Sequence, residues 1–403
     1  MALNTNGTVV NWGMTGAAVP AGLANVVAIG AGADPNGLAL LNNGTVVAWG
    51  GGDYGVSSPP PGLTNVIAIA AGYVHSLALK SDGTVVAWGD NSSGQTNVPA
   101  GLSNVVAISA GEFHSLALKS DGTVVGWGDN TFGESVAPAG LSNVVAIVAG
   151  INYFSLALKR DGTVQGWGFN VIGDTTPPSG LSNVVAIAAG NEYGLALKDD
   201  GTVVGWGYDA DNADIIPAGL NNVMALAAFV DLSMAIVGDG SPHIVRQPFN
   251  QTSSNSVPVS FSIGATGQSA LNYQWQFNGK NLTDNAQTTG SHSNVLTLTA
   301  VTASNAGSYQ VIVTNTYGSA TAAATLAVLG PPLIQATTSS SNSFPFTWNT
   351  VSGQSYQIQA TAGLNPANWT NLGSSITATN STTTVAEPLS ASSQHFYRVV
   401  LLP

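Results

Sequence analysis

The 403 residues carry eight Lys and Arg against 20 Asp and Glu, a formal charge of −12, and only 7 % are charged while 44 % are hydrophobic. That balance excludes a disordered chain and repels the phosphate backbone on which nucleic-acid affinity rests. The chain exceeds one ordinary core, so two or three domains are expected, and the absence of Cys removes disulfides and thiolate metal sites.

From the N-terminus the first recurrent feature is a glycine opening a "GTV" phrase, at Gly7, Gly44, Gly83, Gly122, Gly162 and Gly201, with spacings of 37, 39, 39, 40 and 39 residues. "MALNTNGTVV" shows neither a basic nor an apolar leader region, so for an exported protein the expectation is that a leader has been removed or left out. Each period holds three short apolar runs, as in "NVIAIAAG" (65–72), "HSLALKSDG" (75–83) and "TVVAWG" (84–89). No 3.6-residue periodicity interrupts them, and no run nears the roughly 20 apolar residues that cross a bilayer. The chain reads as all-β, without membrane insertion.

Asp82-Gly83, Asp121-Gly122, Asp161-Gly162 and Asp200-Gly201 separate two strand-like runs, which predicts two-residue type I′ hairpin turns. Lys80, Lys119, Lys159 and Lys198 stand two residues before these aspartates and read as a solvated, locally neutralised edge. Repeats of about 40 residues with several strands each predict a β-propeller, whose blades pack face to face around an axis. Small residues in "AIAAG" (68–72, 186–190) suit the innermost strand. Trp12, Trp49, Trp88, Trp127, Trp167 and Trp206 occupy one slot per repeat and are expected to fill the space between blades. Each would bury about 150–250 Å², worth roughly 4–6 kcal/mol before entropy is subtracted.

The last copy (222–240) lacks a "TVVxWG" run, which "GTVVNWG" (7–13) is expected to supply, closing six blades over about residues 1–242. "MALNTN" (1–6) is then a surplus segment, available for assembly. The phrase "AGxxHSLALKxDGTVxxWGxNxxGQ", best fulfilled at 71–95 and 110–133, resembles the regulator-of-chromosome-condensation repeat, in the style of bacterial members that include secreted β-lactamase-inhibitor propellers. That resemblance implies a seven-bladed ring as the usual form, so six blades, seven blades and an open arc remain the alternatives.

Beyond residue 242 the rhythm ends. Residues 243–330 resemble an immunoglobulin-like β-sandwich, with Trp275 as the buried tryptophan and Tyr309 at the tyrosine corner. The resemblance puts Ile263 and Val311 at the two cysteine positions. After Pro331-Pro332, residues 331–403 resemble a fibronectin-III-like β-sandwich with Trp348, Tyr356 and Tyr397 as core residues.

The five histidines, His75, His114, His243, His292 and His395, show no metal or triad spacing. His75 and His114 share a repeat slot with Phe154, Tyr193, Leu232 and Asn36, which argues against acid–base work there. "DADNAD" (209–214) offers Asp209, Asp211 and Asp214 as a weak calcium candidate, but lacks the Gly and distal Glu of an EF-hand loop and reads as a polar loop. No cofactor is expected. The loops between strands carry varied aromatics and carboxylates on a constant scaffold, as a binding face would. Tyr73, Phe113, Tyr153, Tyr193, Tyr54, Phe169 and Tyr208 are the candidate binding residues, with Glu112, Asn152, Glu192 and Asp53 among the polar ones.

The sequence points to a non-enzymatic extracellular or bacterial cell-surface protein, structural or adhesive, self-assembling into a filament or surface layer through β-strand addition or domain contacts. Its partner is then itself, as a homo-oligomer or polymer. The alternative is a protein- or glycan-binding module, a secreted-enzyme inhibitor or lectin-like, using the propeller loop aromatics. A hydrolase would need a converging carboxylate pair at a propeller mouth.

Overall fold

The computed structural model describes the chain apart from residues 12–17, 33–36, 51–53, 172, 209–213, 255, 269, 330–331, 333, 336–342, 351–354, 365–366, 379–381, 389–395 and 403. Trp12, Asn36, Asp53, Asp209, Asp211 and His395 therefore lie outside the described residues. Apart from one 3-10 turn at Ala303–Asn305, the described elements are β-strands. The chain divides into two compact units, Met1–Asn250 with Ser260–Thr297 and Ser308–Thr325, and Gln251–Val259 with Leu298–Gly307 and Leu326–Pro403.

In the first unit the repeats fold into antiparallel sheets in chain order. A hairpin of β1 (Ala2–Leu3) and β2 (Val9–Val10) comes first. Five three-stranded sheets follow: β3 (Val26–Ala31), β4 (Gly37–Leu41) and β5 (Val46–Trp49); β6 (Val66–Ala71), β7 (His75–Lys80) and β8 (Val85–Gly89); β9 (Val105–Ala110), β10 (His114–Lys119) and β11 (Val124–Gly128); β12 (Val144–Ala149), β13 (Phe154–Lys159) and β14 (Val164–Gly168); β15 (Val184–Ala189), β16 (Tyr193–Lys198) and β17 (Val203–Gly207). A two-stranded sheet of β18 (Val223–Phe229) and β19 (Leu232–Val237) ends the series.

The first strands converge, as their small side chains allow. Gly30, Ala70, Ser109, Ala149, Ala188 and Ala227, one from each of six sheets, line a common cavity of about 380 Å³. The middle strands are the dry layer: Leu77, Leu79, Leu116 and Leu118 are at most 1 % exposed. Each of these leucine pairs packs against the tryptophan of the following sheet, Leu77 and Leu79 with Trp127, Leu116 and Leu118 with Trp167. Trp49, Trp88, Trp127, Trp167 and Trp206 are only 6–7 % exposed, so the indoles are interior filling as expected.

The turns between second and third strands differ from the expected type I′ form. Gly83 N donates to Lys80 O and Lys80 N to Thr84 O, and Gly83 has φ 77° while Asp82 is not left-handed. This is the pattern of a type I turn followed by a left-handed glycine bulge. The aspartate is free to cap instead: Asp82 Oδ1 accepts from Thr84 N at 3.0 Å and Thr84 Oγ1 at 2.5 Å, and Oδ2 from Lys80 Nζ at 3.1 Å. Asp121, Asp161 and Asp200 repeat the arrangement.

The pairing expected across the termini is not formed among the described residues. β2 pairs with β1, Leu3 opposite Val9 and Ala2 opposite Val10, the register that Leu79–Val85 and Ala78–Val86 have between β7 and β8. "MAL" is thus the middle strand of a repeat and not a surplus segment. Among the described residues β19 pairs with β18 alone, and its Leu232, Ile236 and Val237 are 57 %, 61 % and 53 % exposed where the same layer elsewhere is dry.

Also in this unit, Trp275 (0 % exposed) and Tyr309 (1 %) close over Phe261, whose ring lies 6.1 Å from Trp275 and 4.8 Å from Tyr309. Ile263 and Val311 are both fully buried, so apolar packing fills the positions where a disulfide would stand. The second unit contains two antiparallel sheets, ordered Ile334–Gln335, Ser343–Asn349, Thr382–Pro388 and Thr370–Thr377, Ser355–Thr361, Phe396–Leu401. Trp348, Tyr356, Ile358 and Val399 form their core, with Tyr397 partly buried against it.

Candidate functional site

Among the described residues, the loops that follow the first and third strands of the sheets β9–β11, β12–β14 and β15–β17 meet on one face of the repeat region. Asp129 N donates to Phe113 O, Phe169 N to Tyr153 O and Tyr208 N to Glu192 O, so each post-tryptophan loop is tied to the loop ahead of its own middle strand. On this face Phe113 and Tyr153 stack at 6.3 Å, Phe132 meets Tyr153 at 5.2 Å and Phe169 meets Phe132 at 5.0 Å edge-on. Three expected binding residues, Phe113, Tyr153 and Phe169, are thereby joined in one row with a fourth, Phe132, which lies between Tyr153 and Phe169 and which the sequence reading missed.

A local insertion builds this cluster. Ten residues separate the starts of β12 and β13 (Val144 to Phe154), against nine for β9 and β10 (Val105 to His114). The extra residue is accommodated by left-handed backbone at Asn152 (φ 70°) and Tyr153 (φ 66°), joined by Glu192 (φ 63°) in the next loop. Non-glycine residues hold such angles only where surrounding contacts compensate the strain. Those contacts are polar: Glu112 Oε2 accepts from Asn152 N at 3.3 Å, and Asn152 Nδ2 donates to Glu192 Oε1. The 40-residue spacing from Gly122 to Gly162 was the signal of this insertion.

Carboxylates surround the rings. Glu134, 0 % exposed, accepts from Phe132 N at 2.9 Å through Oε2 while Oε1 has no partner. Burial pushes Glu112 and Glu134 above the usual carboxylate range. Tyr153 is raised by burial and then by the negative charges of Glu112, Asp129 and Glu134. Asp174, the equivalent of Glu134 in the next repeat, is also fully buried, has neither oxygen bonded, and is pushed up to about 6 by burial with Glu192 adding to the effect.

The remaining candidates stand apart from the cluster. Tyr193 is fully buried in β16, its hydroxyl donating to Leu232 O at 3.0 Å and accepting from Ser233 Oγ, because it fills the slot of His75 and His114. It corrects the expectation of an exposed aromatic there. Tyr73 is half-buried, its main-chain N donating to Gly111 O, while Tyr54 and Tyr208 are exposed. Asp214 is half-buried, and no group of three metal-ligating side chains occurs among the described residues.

His75 and His114 are held in buried hydrogen-bond chains. Ser115 Oγ donates to Gln95 O at 2.9 Å, so His75 Nε2 donates to Ser115 Oγ at 2.8 Å and Nδ1 is left bare. His114, Ser155 and Glu134 O repeat the chain. Burial lowers His75 to about 4 and His114 to about 3.

These observations define an all-β repeat protein whose sheets surround a cavity and present one aromatic, acidic loop face. Residues 66–95, 105–134, 144–171 and 184–212 match the regulator of chromosome condensation (RCC1) repeat, and residues 242–328 match the immunoglobulin I-set domain. No curated protein matches the chain. Among solved structures, Prp20p from Saccharomyces cerevisiae is similar at 22 % identity over 53 % of this chain and 69 % of its own, with a TM-score of 0.45; it was reported with its binding to Gsp1p and histones. The ectodomain of the receptor kinase CR4 from Physcomitrella patens is similar at 23 % identity over 54 % of this chain and 61 % of its own, TM-score 0.46. A titin–obscurin-like 1 Ig complex is similar at 26 % identity over 23 % of this chain and 99 % of its own, TM-score 0.22.

Proposed function

We propose that this chain is a protein-binding module whose grip is the loop face around Tyr153 and Phe132. The observation that carries the reading is the four-ring cluster that joins the inserted, left-handed Tyr153 loop to the loops of Phe113, Phe132 and Phe169 and leaves Phe132 47 % exposed, since a clustered aromatic left open to solvent is poor filling but a good anchor. The immunoglobulin-like and C-terminal sandwich regions, the latter read as fibronectin-III-like, then serve as carriers. Low charge and abundant Thr, Asn, Ser and Gly support an extracellular or cell-surface setting. The reading is non-catalytic: Glu112 and Glu192 are both engaged by Asn152, which favours a positioning duty over acid–base work. A photo-crosslinking residue at Phe132, compared with one at Thr84 on the opposite turns, tests it. A partner captured only from Phe132, and lost on Tyr153→Ala, is the expected result; equal capture from both sites overturns it.

The exposed apolar strand β19 favours a second reading, self-assembly by strand addition into a filament or surface layer. Ile236→Lys would then lower the assembled fraction in size analysis at micromolar concentration, and a protein monomeric with either residue discards this reading.

A further inference from the structure

We propose that the rings of Tyr153, Phe132 and Phe169, with the carboxylates of Glu112 and Glu134, form a receptor for an arginine side chain presented by a partner polypeptide. The inference deepens the protein-binding reading and rests on it. Phe132 and Tyr153 meet at an interplanar angle of 52° and Phe132 and Phe169 at 75°, so the rings form walls and not a closed stack. Phe132 is 47 % exposed, which leaves its surface open to a ligand. A cation over an aromatic face is attracted by the ring quadrupole, most strongly where water is excluded.

Charge specifies the occupant. Glu134 accepts from Phe132 N through Oε2 and is wholly buried, with Oε1 unpartnered, so it acts on a cation through space, in a medium of low polarisability, and not by contact. Glu112 spends one oxygen on Asn152 N and keeps the other free of hydrogen bonds. The chain's own repeat lysines answer none of this, because Lys80, Lys119, Lys159 and Lys198 are paired with Asp82, Asp121, Asp161 and Asp200 at the opposite turns. Arginine fits where lysine fits less well. Its planar guanidinium lies along a ring while its edge donates to a carboxylate, whereas an ammonium is a compact, strongly hydrated charge.

The test uses the full chain labelled with 4-fluorophenylalanine, followed by fluorine NMR, with the Phe132 and Phe169 resonances assigned from Phe132→Leu and Phe169→Leu. Blocked Gly-Arg-Gly, Gly-citrulline-Gly and Gly-Leu-Gly peptides are the probes. The arginine peptide is expected to shift both resonances saturably, with the citrulline peptide roughly tenfold weaker, and Glu134→Gln is expected to weaken the arginine peptide by about the same factor. Equal shifts from the citrulline or leucine peptide overturn the arginine proposal while leaving the face a protein-binding one. No saturable shift from any probe overturns it as well. A partner crosslinked through Phe132 whose capture is unaffected by Glu134→Gln has the same consequence for this proposal alone.

Discussion

Trp127 Nε1 donates at 2.8 Å to the main-chain oxygen of Gln95, a residue 32 positions earlier in the loop that closes the preceding sheet. Ser115 Oγ donates to the same oxygen at 2.9 Å, and His75 Nε2 bonds to that serine. One carbonyl thus joins two consecutive repeats. The neighbouring repeat does the same with Trp167, Ser155 and Glu134 O, while Trp88 and Trp206 reach Val56 O and Asp174 O.

Trp127→Ala should therefore lower stability by about 3–5 kcal/mol, the range for emptying a large buried aromatic site. Trp127→Phe should recover a good part of it, because Ser115 still satisfies the Gln95 carbonyl. Urea unfolding followed by tryptophan fluorescence reads the difference, and equal losses for both variants would show that the indole hydrogen bond dominates over packing.

The buried histidines should make the protein acid-sensitive. His75 and His114 bind protons less readily folded, at about 4 and about 3, than unfolded, near 6.5. The unfolded state takes up more protons in between, so their stabilisation is present above about pH 6.5 and is lost as pH falls towards 4. Phe154 occupies the same slot natively, so His75→Phe with His114→Phe should flatten this limb of the melting temperature against pH.

Asp174 acts with the opposite sign. Its folded value of about 6 lies above the unfolded 3.8, so its contribution is favourable in acid and is lost as pH rises through 6. Asp174→Asn should raise stability at pH 7 by on the order of 1–2 kcal/mol, with no gain below pH 4. Calorimetry at the two pH values distinguishes this from a change in packing, which would not depend on pH.

At the turns, Asp121→Ala should cost about 1 kcal/mol through the lost bonds to Thr123, while Asp121→Asn should cost less. Asn43 already makes both bonds to Thr45, at 3.1 and 2.7 Å. The ion pair to Lys119 is too exposed to add much. Denaturant midpoints of the two variants check the order, and equal losses for Ala and Asn would give the ion pair the greater weight.

How much could be read beforehand differs by residue. The 39-residue rhythm of Gly44, Gly83 and Gly122, the leucine layer and the one-per-repeat tryptophans were legible as an all-β repeat protein, because identical local patterns must solve the same burial problem each time. Trp275 and Tyr309 were likewise legible, since both fill a core by size and position. Tyr193 was misplaced because a tyrosine at a strand start reads the same whether its ring turns towards the loops or into the slot shared with His75. Phe132 was passed over because its importance lies in meeting Tyr153 and Phe169, which no local pattern expresses.

The chain's order of residues alone determined the repeating strands, their turns and their apolar layer, since these depend on alternation and on contacts within some ten residues. Tertiary packing decided the rest: that β2 closes on β1 and leaves β19 open, and that one added residue before Phe154 brings four rings and the carboxylates of Glu112 and Glu134 onto one face. The physical reason is distance along the chain. Which edges pair, and which side chains of neighbouring repeats come within 5 or 6 Å, is set by the competition among whole sheets for burial.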